Sequence, residues 1–425
     1  MNSNPSPDRH DEIPSCYSEG VDELQLFQRA LGLTPPWTVT RTKLDPSDSK
    51  LDLWIDFLPG SRFACPKCGT MSCPAYDTKQ TTWRHLDFFQ YRTFLHVRHP
   101  RVECPTCGIH RVDVPWARPE SGFTFLFEAM VMAMAPHMPV AAMARHVREH
   151  DTRVWRILQY HVNEARSRAD HSGVKQVGLD ETSKGKGHDY VTLFVDLNPL
   201  KRCVLYATPG KDASTVTRFT EDLKQHDGDP AKIVDVCMDM SVAFQSGVKA
   251  SLPEAVITFD KYHIVKLLNE AVDEVRRQEQ RGNPGLKNTR FLWLQKGDNL
   301  GASAKERVVG LSNAFPRTGL AYRLKESFMV LWDQPAARAE AFLRGWQSWA
   351  IRSRLPPFRE FCEMVKDHWS GIVRWFESRI ANGVLEGINS LVQAAKAKAR
   401  GYRSDRNLIT MVYLLAGKLN YQLPT

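Results

Sequence analysis

Two sets of residues in this chain have the types and spacing to do chemistry. The first is a pair of matched knuckles, Cys65-Pro-Lys-Cys68-Gly and Cys104-Pro-Thr-Cys107-Gly, with Cys104 standing 36 positions after Cys68. Two residues between cysteines let both thiolates reach one ion while backbone amides turn toward the sulfurs. The glycine that follows permits the tight turn. Four thiolates close a tetrahedral shell, so a zinc ion held by Cys65, Cys68, Cys104 and Cys107 is structural, at about one per chain. Cys73 reads as a spare thiol, and His99 and His110 as weaker ligand candidates.

The second set is acidic. Val177-Gly-Leu-Asp180-Glu-Thr and Ile233-Val-Asp-Val-Cys-Met-Asp239-Met-Ser each end an apolar strand on a carboxylate. Such an acid must find a cation or hydrogen bonds, or it destabilises the fold. Glu386 lies in Asn382-Gly-Val-Leu-Glu386-Gly-Ile-Asn389-Ser-Leu-Val-Gln393. On a helix, Asn382, Glu386, Asn389, Gln393 and Lys396 share a face, and Leu385, Ile388 and Val392 take the opposite one. One acid then projects from a polar stripe toward the two strand ends. Three carboxylates suit a pair of hard cations such as Mg²⁺. Such a pair activates a water or sugar hydroxyl and stabilises the leaving oxygen of a phosphodiester. Glu181, Asp196, Asp235 and Asp260 are rival acids that spacing alone does not exclude.

The elements that must hold these groups are legible in outline. Asp22 to Leu33 reads as a short helix, and Trp37–Leu44, Leu51–Leu58 and Arg92–Arg98 as strands. Residues 121–168 read as helices with a break at Pro136–Pro139. His137 to Val147 reads as one of them, with Pro139 in its first turn. Asp151 or Thr152 can cap a second over Arg153–Val162, with Val154, Ile157, Leu158 and His161 on one face. That is a helix-turn-helix layout, and Arg145, Arg148, Arg153 and Arg156 favour DNA as its partner. From Val174 the pattern is strand, strand, strand, helix, strand, helix, strand, which implies a mixed α/β sheet. From Tyr262 onward the chain reads helical. Residues 280–375 hold six of the eleven tryptophans, suited either to the core or to stacking on an unpaired base.

Composition narrows the function classes. The 425 residues carry 57 Lys+Arg against 48 Asp+Glu, a net charge of +9. Residues 1–60 carry −5 of this and read as an acidic start, loose over residues 1–20, so the remaining body is at +14. A basic body favours a polyanion, nucleic acid first. The apolar run at Ala129–Ala135 stops at Pro136, far short of a membrane span. The first twenty residues are unlike a signal peptide, and nine cysteines with two close pairs fit a reducing compartment. A cytoplasmic location is the expectation. No G-x-x-x-x-G-K-S/T, H-E-x-x-H or G-x-S-x-G occurs, so nucleotide hydrolysis, zinc proteolysis and serine esterase chemistry lack support.

Taken in order, these motifs resemble bacterial insertion-sequence transposases of the DDE type, most closely the ISL-three group. The resemblance covers nearly the whole chain. It includes the paired C-P-x-C-G segment, the helix pair, G-L-D-E-T at Gly178–Thr182, V-C-M-D-M-S at Val236–Ser241 and D-K-Y-H at Asp260–His263. N-G-V-L-E-G-I-N at Asn382–Asn389 and K-A-K-A-R-G-Y at Lys396–Tyr402 complete it. It implies an α/β ribonuclease H-like catalytic domain over 171–279 and 376–410, with a helical insertion at 280–375 and a C-terminal segment at 411–425. A zinc-binding β-rich domain at 21–118 and a helix-turn-helix domain at 119–170 would precede it. Asp180, Asp239 and Glu386 would be the catalytic acids and the Mg²⁺ or Mn²⁺ ligands. His263 would meet the scissile phosphate or a metal-bound water, or else hydrogen-bond Asp260. Lys396, Lys398, Arg400, Arg403 and Arg406, five charges in eleven residues, would hold phosphates. The implied reaction is cutting at element ends followed by attack of the freed 3′-hydroxyl on target DNA, by at least a dimer bound to terminal inverted repeats. The alternatives are a nuclease of the same fold without strand transfer, and a domesticated DNA-binding regulator.

Overall fold

The computed structural model describes residues 22–185 and 189–424; residues 1–20, read above as loose, lie outside the described residues. The chain divides into two compact units, one ending at Ala133 and including 422–424, the other spanning Met134–Tyr421.

The first unit opens with α1 (Glu23–Ala30), capped by Asp22, whose carboxylate accepts from the Leu24 amide. Strands β1 (Trp37–Asp45), β2 (Lys50–Phe57), β3 (Arg62–Phe63), β4 (Cys73–Arg84), β5 (Arg92–Cys104) and β6 (Gly108–Arg111) follow, then helix α2 (Phe125–Met134). The sheet runs β1-β2-β5-β4-β3, with β6 paired to β5. Alternation along β2 buries Leu51, Leu53, Ile55 and Phe57, the period-2 signature of a strand with one face in the core. Trp37, Trp83, Leu95 and Val97 complete that core.

In the second unit, helices α3 (Val140–His146) and α4 (Asp151–Ser167) come first. Pro139 is the N-cap of α3 and stands just before its first turn. The cap of α4 is His150, whose side chain accepts from the Thr152 amide, and neither Asp151 nor Thr152 takes that place. A neutral imidazole nitrogen can accept that bond, which frees Asp151 for the first helical position, where its charge meets the helix dipole. Val154, Ile157, Leu158 and His161 are all buried, as the periodicity requires.

The second sheet is built from β7 (Gln176–Ser183), β8 (Tyr190–Asp196), β9 (Val204–Pro209), β10 (Asp235–Met238) and β11 (Val256–Phe259), in the order β11-β10-β7-β8-β9. β8 is antiparallel to both neighbours, while β7, β10 and β11 are parallel. Helices cover both faces, which is why β8 is buried along nearly its whole length. Helices α5 (Ala213–Gln225), α6 (Val242–Ser251) and α7 (Lys261–Gln280) pack through Phe219, Phe244 and Ile264 on the side of Val177 and Leu179. A run of helices follows: α8 (Arg290–Leu294), α9 (Ala302–Ala314), α10 (Pro316–Met329), α11 (Ala336–Arg352), α12 (Pro356–Asp367) and α13 (Trp369–Ser378). Trp293, Trp332 and Trp346 there are core residues, while Trp349 is exposed. The chain then returns to the sheet with α14 (Gly383–Ala399) and α15 (Asp405–Ala416), whose Leu385, Ile388, Val392, Leu408 and Val412 bury against Val191, Leu193 and Val195.

Candidate active site and metal centre

The two cysteine knuckles meet in the first unit. The sulfurs of Cys65, Cys68, Cys104 and Cys107 all lie within 4.8 Å of one another, and Cys68 and Cys104 stand 3.6 Å apart. Sulfurs around a tetrahedral zinc stand about 3.8 Å apart, so this set fits the ion. Gly69 and Gly108 adopt φ of +72° and +81°, the left-handed region that only glycine enters freely, and close the two turns. β5 ends on Cys104, paired to Gly108 of β6, which folds Cys107 back beside it. The amides of Thr106 and Cys107 hydrogen-bond the Cys104 sulfur and pull its thiol down, while the Cys68 sulfur and burial push the Cys107 thiol up. His99 directs Nε2 to the Val112 carbonyl (2.6 Å) and His110 to the Cys107 carbonyl (2.8 Å). Neither belongs to the four-sulfur cluster, and Cys73 stands outside it too.

The acids gather in the second unit. β10 pairs with β7 only over Gln176–Gly178, whereas β8 follows β7 to Ser183. Asp180 is therefore inside its strand, not at the end as the apolar run suggests, but it lies where β7 has already lost its parallel neighbour. Asp239 follows β10 directly, and Asp260 follows β11. Three adjacent strands thus deliver three carboxylates at one edge. Burial pushes Asp180 up to about 6; the nearby charges of Asp239 and Asp260 add to this, and His263 opposes them. Burial, then Asp239 and Asp180, raises Glu181 as well. Hydrogen bonds fix the orientations. Asp180 Oδ1 accepts from the Glu181 amide (2.8 Å), Asp239 Oδ1 from the Ser241 amide (2.9 Å), and Asp260 Oδ2 faces His263 Nδ1 at 3.0 Å. That last bond raises the His263 pKa.

Glu386 occupies the first turn of α14 and is exposed. Partial desolvation and Asp260 raise its carboxyl above the usual range, against His263. Glu386 and Asp180 therefore border the same Asp260–His263 pair. The oxygens of Asp180, Asp239 and Glu386 do not all fall within 4.8 Å of one another.

What seats α14 is its polar stripe. Asn382 Nδ2 donates to the Leu179 carbonyl (3.3 Å), Asn389 Nδ2 to Asp180 Oδ2 (2.8 Å), Gln393 Nε2 to Thr182 Oγ1 (2.8 Å), and Lys396 Nζ to the Ser183 carbonyl (2.7 Å). Four of the five residues on that face thus run up β7 in register. Gly178 makes the approach possible: a Cβ there would lie 2.2 Å from Leu385 Cδ1 and 2.9 Å from Leu197 Cδ2. The stripe was visible in sequence, but the partner of Asn389 was not. Helical spacing from Glu386 is the signal that marks Asn389, and nothing local points to Asp180.

The basic residues divide. Arg145, Arg156, Arg400, Arg403 and Arg406 are exposed. Arg148 is exposed with φ +57°, turning the chain between α3 and α4. Arg153 pairs with Glu149 one turn earlier. Lys396 is spent on Ser183, and Lys398 donates to the His137 carbonyl (2.6 Å). A further cluster, His171, Asp222 and His226, has its ligand atoms within 4.8 Å of one another. Arg166 already holds both Asp222 oxygens at 2.8 Å, so the cluster is a neutralised structural network.

Three family models match the chain. A transposase domain matches residues 177–412, the helix-turn-helix domain of transposase family ISL3 matches 112–162, and the zinc-finger of transposase IS204/IS1001/IS1096/IS1165 matches 61–107. The transposase for insertion sequence element IS1557 of Mycobacterium tuberculosis is 28% identical over 385 residues, covering 83% of this chain and 86% of its own. The transposase for insertion sequence element IS1001 of Bordetella parapertussis is 28% identical over 377 residues, covering 85% of this chain and 90% of its own. With a zinc ribbon, a helix-turn-helix and a transposase domain in that order, the chain belongs to the ISL3 family of insertion-sequence transposases.

Proposed function

We propose that this chain cuts DNA at the ends of an insertion sequence and joins the freed 3′-hydroxyl to target DNA, with Asp180, Asp239 and Glu386 as the catalytic acids. The donor set offers only carboxylate oxygens, the chemistry of hard cations such as Mg²⁺ or Mn²⁺. When bound, such ions supply Lewis acidity at the attacking and leaving oxygens. The protein's part is positioning. β7 and β10 offer Asp180 and Asp239 side by side, and α14 brings Glu386 to the same edge. Asp260 orients His263 through Nδ1, which leaves Nε2 as the nitrogen to meet a phosphate oxygen.

The observation that carries this reading is the bond from Asn389 to Asp180, which ties the helix bearing Glu386 to the first acid. The oxygens of the three acids do not all lie within 4.8 Å of one another, so holding ions here requires them to draw closer. A ribonuclease H-like fold is the reading that the strand order β9-β8-β7-β10-β11, with β8 alone antiparallel, supports best. The helices between α7 and α14 are then its insertion. Arg145 in the last turn of α3, Arg148 in the turn and Arg156 on α4 are the exposed cations we assign to the terminal repeats, in a dimer on DNA.

The test is Mg²⁺-dependent cleavage of duplexes carrying the element ends, comparing wild type with Asp180→Ala, Asp239→Ala and Glu386→Ala. Each substitution is expected to abolish cutting. A variant with normal activity removes its residue from the assignment. Joining of pre-cut ends to a plasmid separates a transposase from a plain nuclease.

A further inference from the structure

We infer that helix α4 and the loop joining α14 to α15 form one DNA surface, so that the chain which recognises an element end is the chain whose acids cut it. The inference rests on the reading that this chain cuts element ends. It adds which copy of the chain, in a dimer on DNA, does the cutting.

Every residue concerned lies in the second unit. The loop runs from Arg400, which caps α14, to Ser404, which caps α15. Three contacts of different kinds hold this stretch against the helix pair. Lys398 Nζ, in the last turn of α14, donates to the His137 carbonyl just ahead of α3 (2.6 Å). The rings of Trp155 and Tyr402 meet edge to face, with centres 6.2 Å apart. Gln159 Nε2 donates to Asn407 Oδ1 (3.0 Å). Trp155 and Gln159 are one turn apart, so a single side of α4 faces the loop. Thr152 and Arg156 form the next side round the helix, and both are exposed. Arg156 therefore borders the contact from α4, and Arg400, Arg403 and Arg406, all exposed, border it from the loop and the start of α15.

The four guanidinium groups are open to a polyanion. Asp405, the carboxylate beside Arg406 in sequence, is taken by Lys184 (2.7 Å). Among the described residues no carboxylate pairs with any of the four arginines. Such a cluster repels its own kind and attracts the closely spaced phosphates of a duplex. The helix that ends in this loop also says where along the DNA it acts. Arg400 follows Glu386 by fourteen positions of α14, which is about 21 Å of helix or about six base pairs of duplex. Asn389 on the same helix bonds Asp180, so one continuous helix runs from the acids to the loop. A duplex held by α4 and the loop thus meets the acids of its own holder within one helical turn of DNA. Acids from a second copy would have to displace them to reach the same phosphate. A dimer then pairs two ends, each cut by the chain that holds it.

Two measurements test this on full-length, zinc-loaded protein with a duplex carrying the element's own terminal repeat. The first needs no cutting. Without divalent cation, Arg156→Gln and Arg403→Gln are each expected to lower the slope of log K against log salt by about one and to weaken binding several-fold. Their hydroxyl-radical footprints are expected to lose protection at adjoining phosphates, within one helical turn of the cut. The second measurement combines two proteins, each inactive alone at the salt used. Asp180→Ala keeps the DNA surface, and the double variant Arg156→Gln/Arg403→Gln keeps the acids. Coexpressed with different tags and purified through both, the pair is expected to leave ends uncut, because neither chain can both hold an end and cut it. Restored cutting would show that acids reach an end held by the partner, and would overturn the inference. So would a wild-type salt slope in Arg403→Gln, or protection lost more than one turn from that lost in Arg156→Gln. Equal thermal midpoints and zinc content across the set exclude misfolding as the cause. Cutting by Asp180→Ala alone would instead remove the catalytic assignment, and would leave the salt and footprint measurements standing.

Discussion

Asn389 donates its side-chain amide to Asp180 Oδ2 across 2.8 Å, one helical turn beyond Glu386. A single hydrogen bond thus joins residues 209 positions apart and sets the orientation of a strand acid from the helix that carries another. Asn389 Oδ1 is buried and unpaired, so the amide is held for its donor, not for general solvation. The bond ties the helix that carries Glu386 to Asp180.

Asn389→Ala removes a hydrogen bond to a charged group, worth roughly 1.5–3 kcal/mol. End-DNA cleavage is expected to fall roughly ten- to hundredfold, with DNA affinity at low salt unchanged. Asn389→Asp places a second negative charge against Asp180 and is expected to lose more activity than the alanine variant. Equal cleavage by all three proteins would show that the bond does not position the acid.

Gly178→Ala puts a methyl group where Leu385 Cδ1 and Leu197 Cδ2 already sit. Overpacking of this kind costs about 1–3 kcal/mol. The thermal midpoint is expected to drop, and activity to drop further than stability because α14 is pushed from β7. Adding Leu385→Ala to Gly178→Ala makes room for the methyl and is expected to recover part of the loss in activity. Thermal melts and cleavage rates on the single and double variants decide it.

Removing zinc is expected to unfold the ribbon around Cys65–Cys107, because every cysteine among the described residues is a free thiol and a structural zinc contributes folding free energy. Elemental analysis should give about one zinc per chain, and none with Cys65→Ser. Chelated protein that keeps wild-type near-UV circular dichroism would contradict this.

His85 gives the first unit an acid-sensitive point. Burial lowers its pKa from 6.5 to about 4, with Arg84 adding to the shift, and its Nδ1 meets Thr124 Oγ1 at 2.9 Å. The unfolded chain takes up a proton near 6.5 while the folded one resists until about 4. Stability is therefore full above 6.5 and is lost as pH falls toward 4, by roughly 3 kcal/mol over the window. His85→Gln is expected to flatten denaturant midpoints over that range. An unchanged slope would assign the acid sensitivity elsewhere.

Much of this molecule was readable from its residues. The two C-P-x-C-G knuckles announce their cluster because a two-residue spacing and a following glycine act locally. The strands of the second sheet follow from short apolar runs, and Asp239 could be placed at a strand end because its run stops there. The buried face of α4 follows from Val154, Ile157, Leu158 and His161 at helical spacing. Local geometry fixes such features, so local sequence records them.

Three-dimensional packing decided the rest. Sequence put Asp180 at the end of its strand, but β8 carries β7 on to Ser183, because pairing depends on a neighbour's length as well as on the strand's own residues. Lys396 reads as a phosphate contact by its place in a basic run, yet the seating of α14 delivers its amine to the Ser183 carbonyl. That seating depends on the missing side chain at Gly178, two hundred positions earlier in the chain. The sequence thus determined which groups could bind a metal ion and on which elements they ride. Which of them meet was left to the packing of one helix on one strand, since a distance between remote residues is a property of the whole fold and is written in no single segment.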